Sequence, residues 1–292
     1  MKKIFLLVVA IVACVGSIQA QTSGNVAYSE KTRIRPHETP SGTTQTPDGS
    51  VYIEAYVLFN GKADEYVATF SASQEGRTIH ECNQKLASQI QEFSGELKAV
   101  GIKDEDIDVD FVVQNRVYDY QVNSGSATEK LSGFEIKKNI AVHYKEKGLL
   151  DNLTNAAAKA NIFDLIKVDY VIDNPAPIRE RLLKEGARII REKEASYENL
   201  FGLKFRSPVE VTTEKYETVY PKDQYDSYTA FETGQVDPGN SQTYRVTQAR
   251  KNTTFFFNGS DPGLYDLVIN PVVSEPMIQI SMYLRVRRMV DR

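Results

Sequence analysis

The chain has no tryptophan, three histidines, four methionines and two cysteines in 292 residues. The histidines, His37, His80 and His143, are far apart and match neither zinc-ligand spacing nor the H-E-x-x-H pattern, so no metal is expected from them. No G-x-S-x-G, Walker A or dinucleotide-binding fingerprint occurs, so no catalytic residue and no cofactor is expected either. A surplus of positive charge is also missing. The net charge is −4, with both signs interspersed, which argues against a nucleic-acid partner because such partners select a basic patch. After the first 20 residues no apolar run comes near the roughly 20 residues that a membrane-spanning helix needs.

What is present begins with a leader. Lys2 and Lys3 precede an apolar run from Ile4 to Val15, and Ser17-Ile18-Gln19-Ala20 follows as a small-residue cleavage site. These are the parts of a secretory signal peptide, with Gln21 as the first mature residue and the periplasm as the expected destination. Ile11-Val12-Ala13-Cys14 also resembles a lipobox, which leaves a lipoprotein anchored through Cys14, or a secreted protein, as alternatives. Cleavage removes Lys2 and Lys3, leaving 33 basic against 39 acidic residues and a net charge of −6. Only Cys82 then remains, so no intrachain disulfide can form. Its place on the apolar face of a helix predicts buried packing rather than redox chemistry.

Residues 21–50, rich in Thr, Ser, Gly and Pro, read as a flexible arm. The ordered body is expected over 51–292. Val51 to Phe59 is a strand with a hairpin-type turn signal at Asn60-Gly61, and Tyr66 to Ser73 is the next strand. Ile79, Cys82, Leu86, Ile90, Phe93, Leu97 and Val100 recur at steps of three and four, which predicts a long amphipathic helix ending at Gly101. Gly95, inside it, costs about 1 kcal/mol against Ala and points to a close neighbouring backbone. Ile107, Val109, Phe111, Val113 and Val117 then alternate as a strand, Asn123 to Lys130 reads as a hairpin loop, and Phe134 to Tyr144 returns. A short helix over Leu149–Ala160, a strand to Ile172, a second long helix over about Ile178–Phe201 and a strand at Val209–Val219 follow. Residues 221–275 have the composition of an insertion, and Met277–Arg287 alternates as a closing strand. The expected class is α+β, a mainly antiparallel sheet with two long helices packed on one face and a β-rich C-terminal extension.

Chemistry-bearing candidates are few. Asp104, Asp106, Asp108 and Asp110 invite a calcium loop, but counting from Asp104 the required Gly and Glu positions hold Val109 and Asn115, so a solvated strand face is expected. Phe255, Phe256 and Phe257 would mark an interface if exposed, and with Tyr225 and Tyr228 they could line a ligand cleft. Arg285 and Arg287 belong to a basic end suited either to the polar face of an edge or closing strand or to contact with anionic lipid headgroups or a neighbouring subunit's acidic edge. The partners expected are further copies of the chain, an envelope protein or an anionic membrane surface.

The order of several short motifs resembles the SIMPL-domain family. They are Val100-Gly101-Ile102 at the helix end, Lys103-Asp104-Glu105-Asp106-Ile107, the strand reaching Val117-Tyr118-Asp119-Tyr120, and Gly133-Phe134-Glu135-Ile136. Leu149 to Asn161, Phe201-Gly202-Leu203 and Glu275-Pro276-Met277-Ile278 also fit. The resemblance covers roughly residues 60–220 and the last strand. The second long helix has less alanine than is usual in the family, Asn161 stands where Gly is common, and 221–275 is expanded. The resemblance implies an exported bacterial protein of the envelope, linked to envelope or oxidative stress, self-associating, and without agreed catalytic residues.

Overall fold

In chain order the elements are β1 (Val26–Ser29), β2 (Thr43–Gln45), β3 (Ser50–Gly61), β4 (Glu65–Gly76), α1 (Ile79–Ala99), β5 (Ile107–Asn123), β6 (Ser126–Tyr144), α2 (Leu149–Lys159), β7 (Asp164–Val171), α3 (Ala176–Phe201), β8 (Glu210–Val219), β9 (Tyr225–Pro238), β10 (Tyr244–Arg250), β11 (Thr254–Phe257), β12 (Leu267–Ile269) and β13 (Ile278–Met289). This is a computed structural model, and it describes residues 26–29, 42–123, 126–206, 208–238, 244–250 and 253–291. The class is α+β, with mostly antiparallel sheets and three helices. Among the described residues no helix is long and apolar enough to cross a membrane. Val26–Ser29 and Tyr225–Phe256 belong to a smaller unit, and the other described residues form the larger one.

The larger unit holds two sheets. In the first, the order is β12-β3-β13-β8, with β2 sharing the outer edge of β3. The closing strand β13 is central: its residues Ile278–Met289 pair with Gly61–Ser50 on one side, and Gln279–Arg287 pair with Val219–Glu210 on the other. Ile278, Ile280, Met282, Leu284 and Val286 face a core shared with Ile53, Val57, Leu182, Ile189 and Ile190. Helix α3 lies close to β13 at Gly186, where a Cβ would press on Met282 and Leu284. The edge of β3 between β2 and β12 is also closed. Asp266 accepts from the Tyr56 amide at 2.8 Å, and Lys193 reaches the Glu54 carbonyl at 2.8 Å.

The second sheet has the order β5-β6-β4-β7, all antiparallel. Helix α1 covers β4 and β6, and α2 packs on α1. Phe70, Ile136, Ile140, Cys82, Leu86, Phe93, Leu97 and Leu153 are fully buried between them. Helix α1 starts at Thr78, whose hydroxyl accepts from the Glu81 amide at 3.1 Å, while the Glu81 carboxylate accepts from the Arg77 amide at 2.9 Å. It ends as the sequence indicates. Gly101 has φ +96°, its amide reaches the Lys98 carbonyl, the Ile102 amide reaches that of Leu97, and Ile102 is buried beside Leu97.

Several expectations differ from the structure. The helices do not share one face of one sheet: α1 and α2 pack on the second sheet and α3 on the first, each over its own core. Asn60-Gly61 does not close a hairpin, because β3 and β4 belong to different sheets and the corner carries the chain from one to the other. The polar stretch 123–130 is mostly strand, since β5 runs to Asn123 and β6 begins at Ser126. Gly95 has open space around it rather than a neighbouring backbone. Within the expected arm, Thr43–Gln45 pairs with β3 and Val26–Ser29 with β9; a stretch with little to bury can still add backbone hydrogen bonds at a sheet edge. In the smaller unit β1 and β10 pair antiparallel with β9, and β11 also pairs with β9, whereas residues 257–275 of the expected insertion belong to the larger unit.

Candidate functional site

The start of β4, the end of β6 and the Asp104–Asp106 turn that precedes β5 meet at His143. Its Nδ1 is 2.9 Å from Asp106 Oδ1 and its Nε2 is 2.8 Å from Glu65 Oε2. Lys145 Nζ is 2.6 Å from the other Glu65 oxygen. Hydrogen bonds from the ring to Asp106 and then to Glu65 raise the imidazole pKa, and burial opposes them only in part. Bonds from Lys145 and His143 lower that of Glu65, and the bond from His143 lowers that of Asp106. The two carboxylates on its ring nitrogens thus favour the protonated form of the imidazole. The carboxylates occupy opposite ring nitrogens, so they point away from each other and do not converge on a common ligand. Among the described residues no group of three or more His, Cys, Asp or Glu side chains is placed to hold a metal ion. The arrangement ties β4, β6 and the turn before β5 together.

Other titratable groups are also committed to joints. Glu275, just before β13, accepts from Lys147 at 2.6 Å and lies 2.7 Å from Lys62, and its carboxyl pKa is lowered to about 2 by these two bonds. Asp104 pairs with Lys98 at 2.8 Å and Asp106 with His143, while Asp108 and Asp110 lie exposed along β5, so the acidic run disperses. Cys82 is fully buried, its Sγ donating to the Phe134 carbonyl at 3.2 Å. His80 is exposed on α1, and His37 lies outside the described residues.

The residues singled out in the sequence occupy two places. Arg285 and Arg287 stand on the outer face of β13. Arg285 stacks 4.0 Å over Tyr52 and lies 3.4 Å from Glu54, while Arg287 bonds Ser50 at 3.1 Å and lies 3.4 Å from Glu210. Both guanidinium groups thus balance acidic neighbours on their own sheet. Phe255 and Phe256 lie on β11, exposed by 65% and 37%, and Phe257 is less so.

Sequence reasoning missed an open apolar surface on β5. Strand β5 is a sheet edge 17 residues long, and only its first residue, Ile107, packs against the core under α1. Val109, Phe111, Tyr118, Tyr120 and Val122 are all exposed, as is Leu131 across the ribbon. The alternation of Tyr118, Tyr120 and Val122 was the available signal; it runs right up to the stretch that polar composition read as a loop. The His143 cluster was hidden for a different reason, since its partners lie 37 and 78 residues away in the chain.

No curated protein matches this sequence. A family model does, over residues 59–250, described as SIMPL, a protein family of unknown function (DUF541). That span runs from the end of β3 through the His143 cluster, the β5–β6 ribbon and all three helices. The chain therefore belongs to the SIMPL family.

Proposed function

We propose that this chain is an exported, non-enzymatic protein of the bacterial cell envelope that works by associating with copies of itself. One observation carries the reading: a long edge strand, β5, leaves its core-facing side uncovered and exposes large apolar residues along its length. Exposed apolar patches on an open sheet edge are characteristic of surfaces that bind other chains. The leader at residues 1–20 supports export. The commitment of His143, Glu65, Asp106 and Glu275 to holding elements together favours binding over catalysis. The link to envelope or oxidative stress rests on the family resemblance.

Light scattering of Gln21–Arg292 across micromolar concentrations tests the proposal. A mass above that of one chain is expected, and a strict monomer would overturn it. The intact mass of the protein recovered from cells should begin at Gln21; a lipidated Cys14 at the N-terminus would replace the periplasmic form with an anchored one.

The exposure of Phe255 and Phe256 favours a second reading, in which the aromatic insertion binds a cell-wall fragment or small ligand. Soluble peptidoglycan fragments should then bind the wild type and not Phe255→Ala, F256A; equal binding by both would remove this alternative.

A further inference from the structure

We propose that the distal half of the β5–β6 ribbon is the surface through which two copies of this chain pair, face to face about a twofold axis. The inference rests on the self-association proposed above and names its site. Strand β4 reaches only to Gly76, opposite Phe134. Beyond that level, among the described residues, β5 and β6 continue as two strands, Val117–Asn123 against Ser126–Gly133. A ribbon of two strands is marginally stable in water unless one face is covered.

The register assigns the faces. Gln114 lies opposite Ile136, which is fully buried in the core, so Arg116, Tyr118, Tyr120 and Val122 follow on the core-facing side. A bulge skips Ser132, after which Leu131, Glu129 and Ala127 stand opposite Tyr118, Tyr120 and Val122 and share that side. The Tyr120 hydroxyl donates to Glu129 Oε1 at 3.1 Å, as the shared face requires. The ribbon thus extends the apolar face of the sheet beyond α1, with Tyr120 exposed by 68% and Val122 by 75%. Its opposite face carries Asp119, Gln121, Thr128 and Lys130.

The charges on the face choose the occupant. Arg116 and Glu129 lie among the aromatic and aliphatic residues, and charges in the middle of such a face are costly in hydrocarbon, which argues against a lipid surface. They complement a second copy instead. A twofold axis across the strands at the level of Tyr118 and Leu131 brings the Arg116 level of each copy over the Tyr120–Glu129 level of the other. One face then supplies both halves of two ion pairs, and the apolar residues between them exclude water.

Charge swaps test this in Gln21–Arg292, with circular dichroism to confirm that the exposed substitutions leave the fold intact. Arg116→Glu and Glu129→Arg should each weaken the dimer about tenfold or more, as should Tyr120→Lys. An equimolar mixture of R116E and E129R should regain wild-type affinity, because each chain then offers the other its missing partner. If the wild type associates and all three variants match it, the ribbon inference falls while self-association stands. If the swaps weaken the dimer and the mixture does not recover, the twofold pairing is wrong. A wild type that stays monomeric overturns both readings, and Tyr120-dependent binding of that monomer to anionic vesicles would assign the ribbon to lipid.

Discussion

Gly95 and Gly133 look alike in the sequence and sit in opposite circumstances. A Cβ on Gly95 would meet nothing within 4 Å, whereas one on Gly133 would stand 2.6 Å from the Gly76 carbonyl oxygen, a backbone atom that cannot move aside. Gly95→Ala should therefore raise unfolding stability by about 1 kcal/mol, the helix-propensity difference. Gly133→Ala should lower it by about 1–3 kcal/mol through forced backbone displacement. Urea denaturation of the two variants checks both signs. Asn161 offers a third case. With φ 57° it ends α2 as Gly101 ends α1: its amide reaches the Ala158 carbonyl, and the amide of buried Ile162 reaches that of Ala157. Asn is the next-best residue to Gly in this conformation, so Asn161→Gly should be neutral to stabilising by roughly 1 kcal/mol. Asn161→Val should cost about 1–2 kcal/mol because a branched Cβ opposes positive φ.

At the scale of elements, His143 joins β6 to the start of β4 and to the turn before β5, and the joint is sensitive to pH. Its folded pKa lies above the ordinary 6.5, so the stability it contributes is fully present below that value and fades as pH rises through the folded pKa. Glu65 and Asp106 have folded pKa values below the ordinary 4.5 and 3.8, so their contribution is present above those values and fades as pH falls through the lowered ones. The joint is thus strongest between the two ranges. The melting temperature should fall in the wild type as pH rises above the ordinary imidazole value of 6.5, and His143→Gln should flatten that slope. Equal slopes in both proteins would show that His143 is not the titrating group. The cluster also marks how far the sequence could be read. Helix α1, its glycine stop, the closing strand and the α+β class follow from spacings of two, three and four residues, which are local. The His143 joint depends on partners 37 and 78 residues away, while the separation of α1 and α3 onto different sheets and the failure of Asn60-Gly61 to form a hairpin go with β3 pairing with β13, a choice made more than two hundred residues away. A turn signal reports what the local backbone favours; it does not report which strand the following residues will find.

For the whole molecule, that distant pairing creates a buried amide network with Gln279 at its centre. Gln279 donates to Asn60 Oδ1 at 2.7 Å, accepts from the Ser260 amide at 2.8 Å, and also accepts from Gln224. Asn60 and Asn270 exchange bonds with each other's backbone carbonyls at 3.0 and 2.9 Å. Gln279, Asn60 and Gln224 are all buried, so each depends on the others for its hydrogen bonds. Gln224 is the last residue before β9, where the chain leaves for the smaller unit, and Ser260 lies just past β11, where it returns. One side chain on the central strand therefore fixes both ends of the excursion. Gln279→Leu keeps the volume but strands the Asn60 and Gln224 amides and the Ser260 N–H. At roughly 1–3 kcal/mol for each group left buried and unpaired, and with partial relaxation, a loss of about 2–4 kcal/mol is expected. Glu275→Gln, only four residues earlier, removes a partner from two lysines that remain largely in water, and should cost less than about 1 kcal/mol. Hydrogen exchange separates a local effect from a global one. In Q279L the amides of Asp223, Gln224 and Asn258–Asp261 should exchange faster than in the wild type, while those of α1 and β4 keep their order of protection. Uniform acceleration across both sheets would mean that Gln279 supports the fold as a whole rather than the root of the smaller unit.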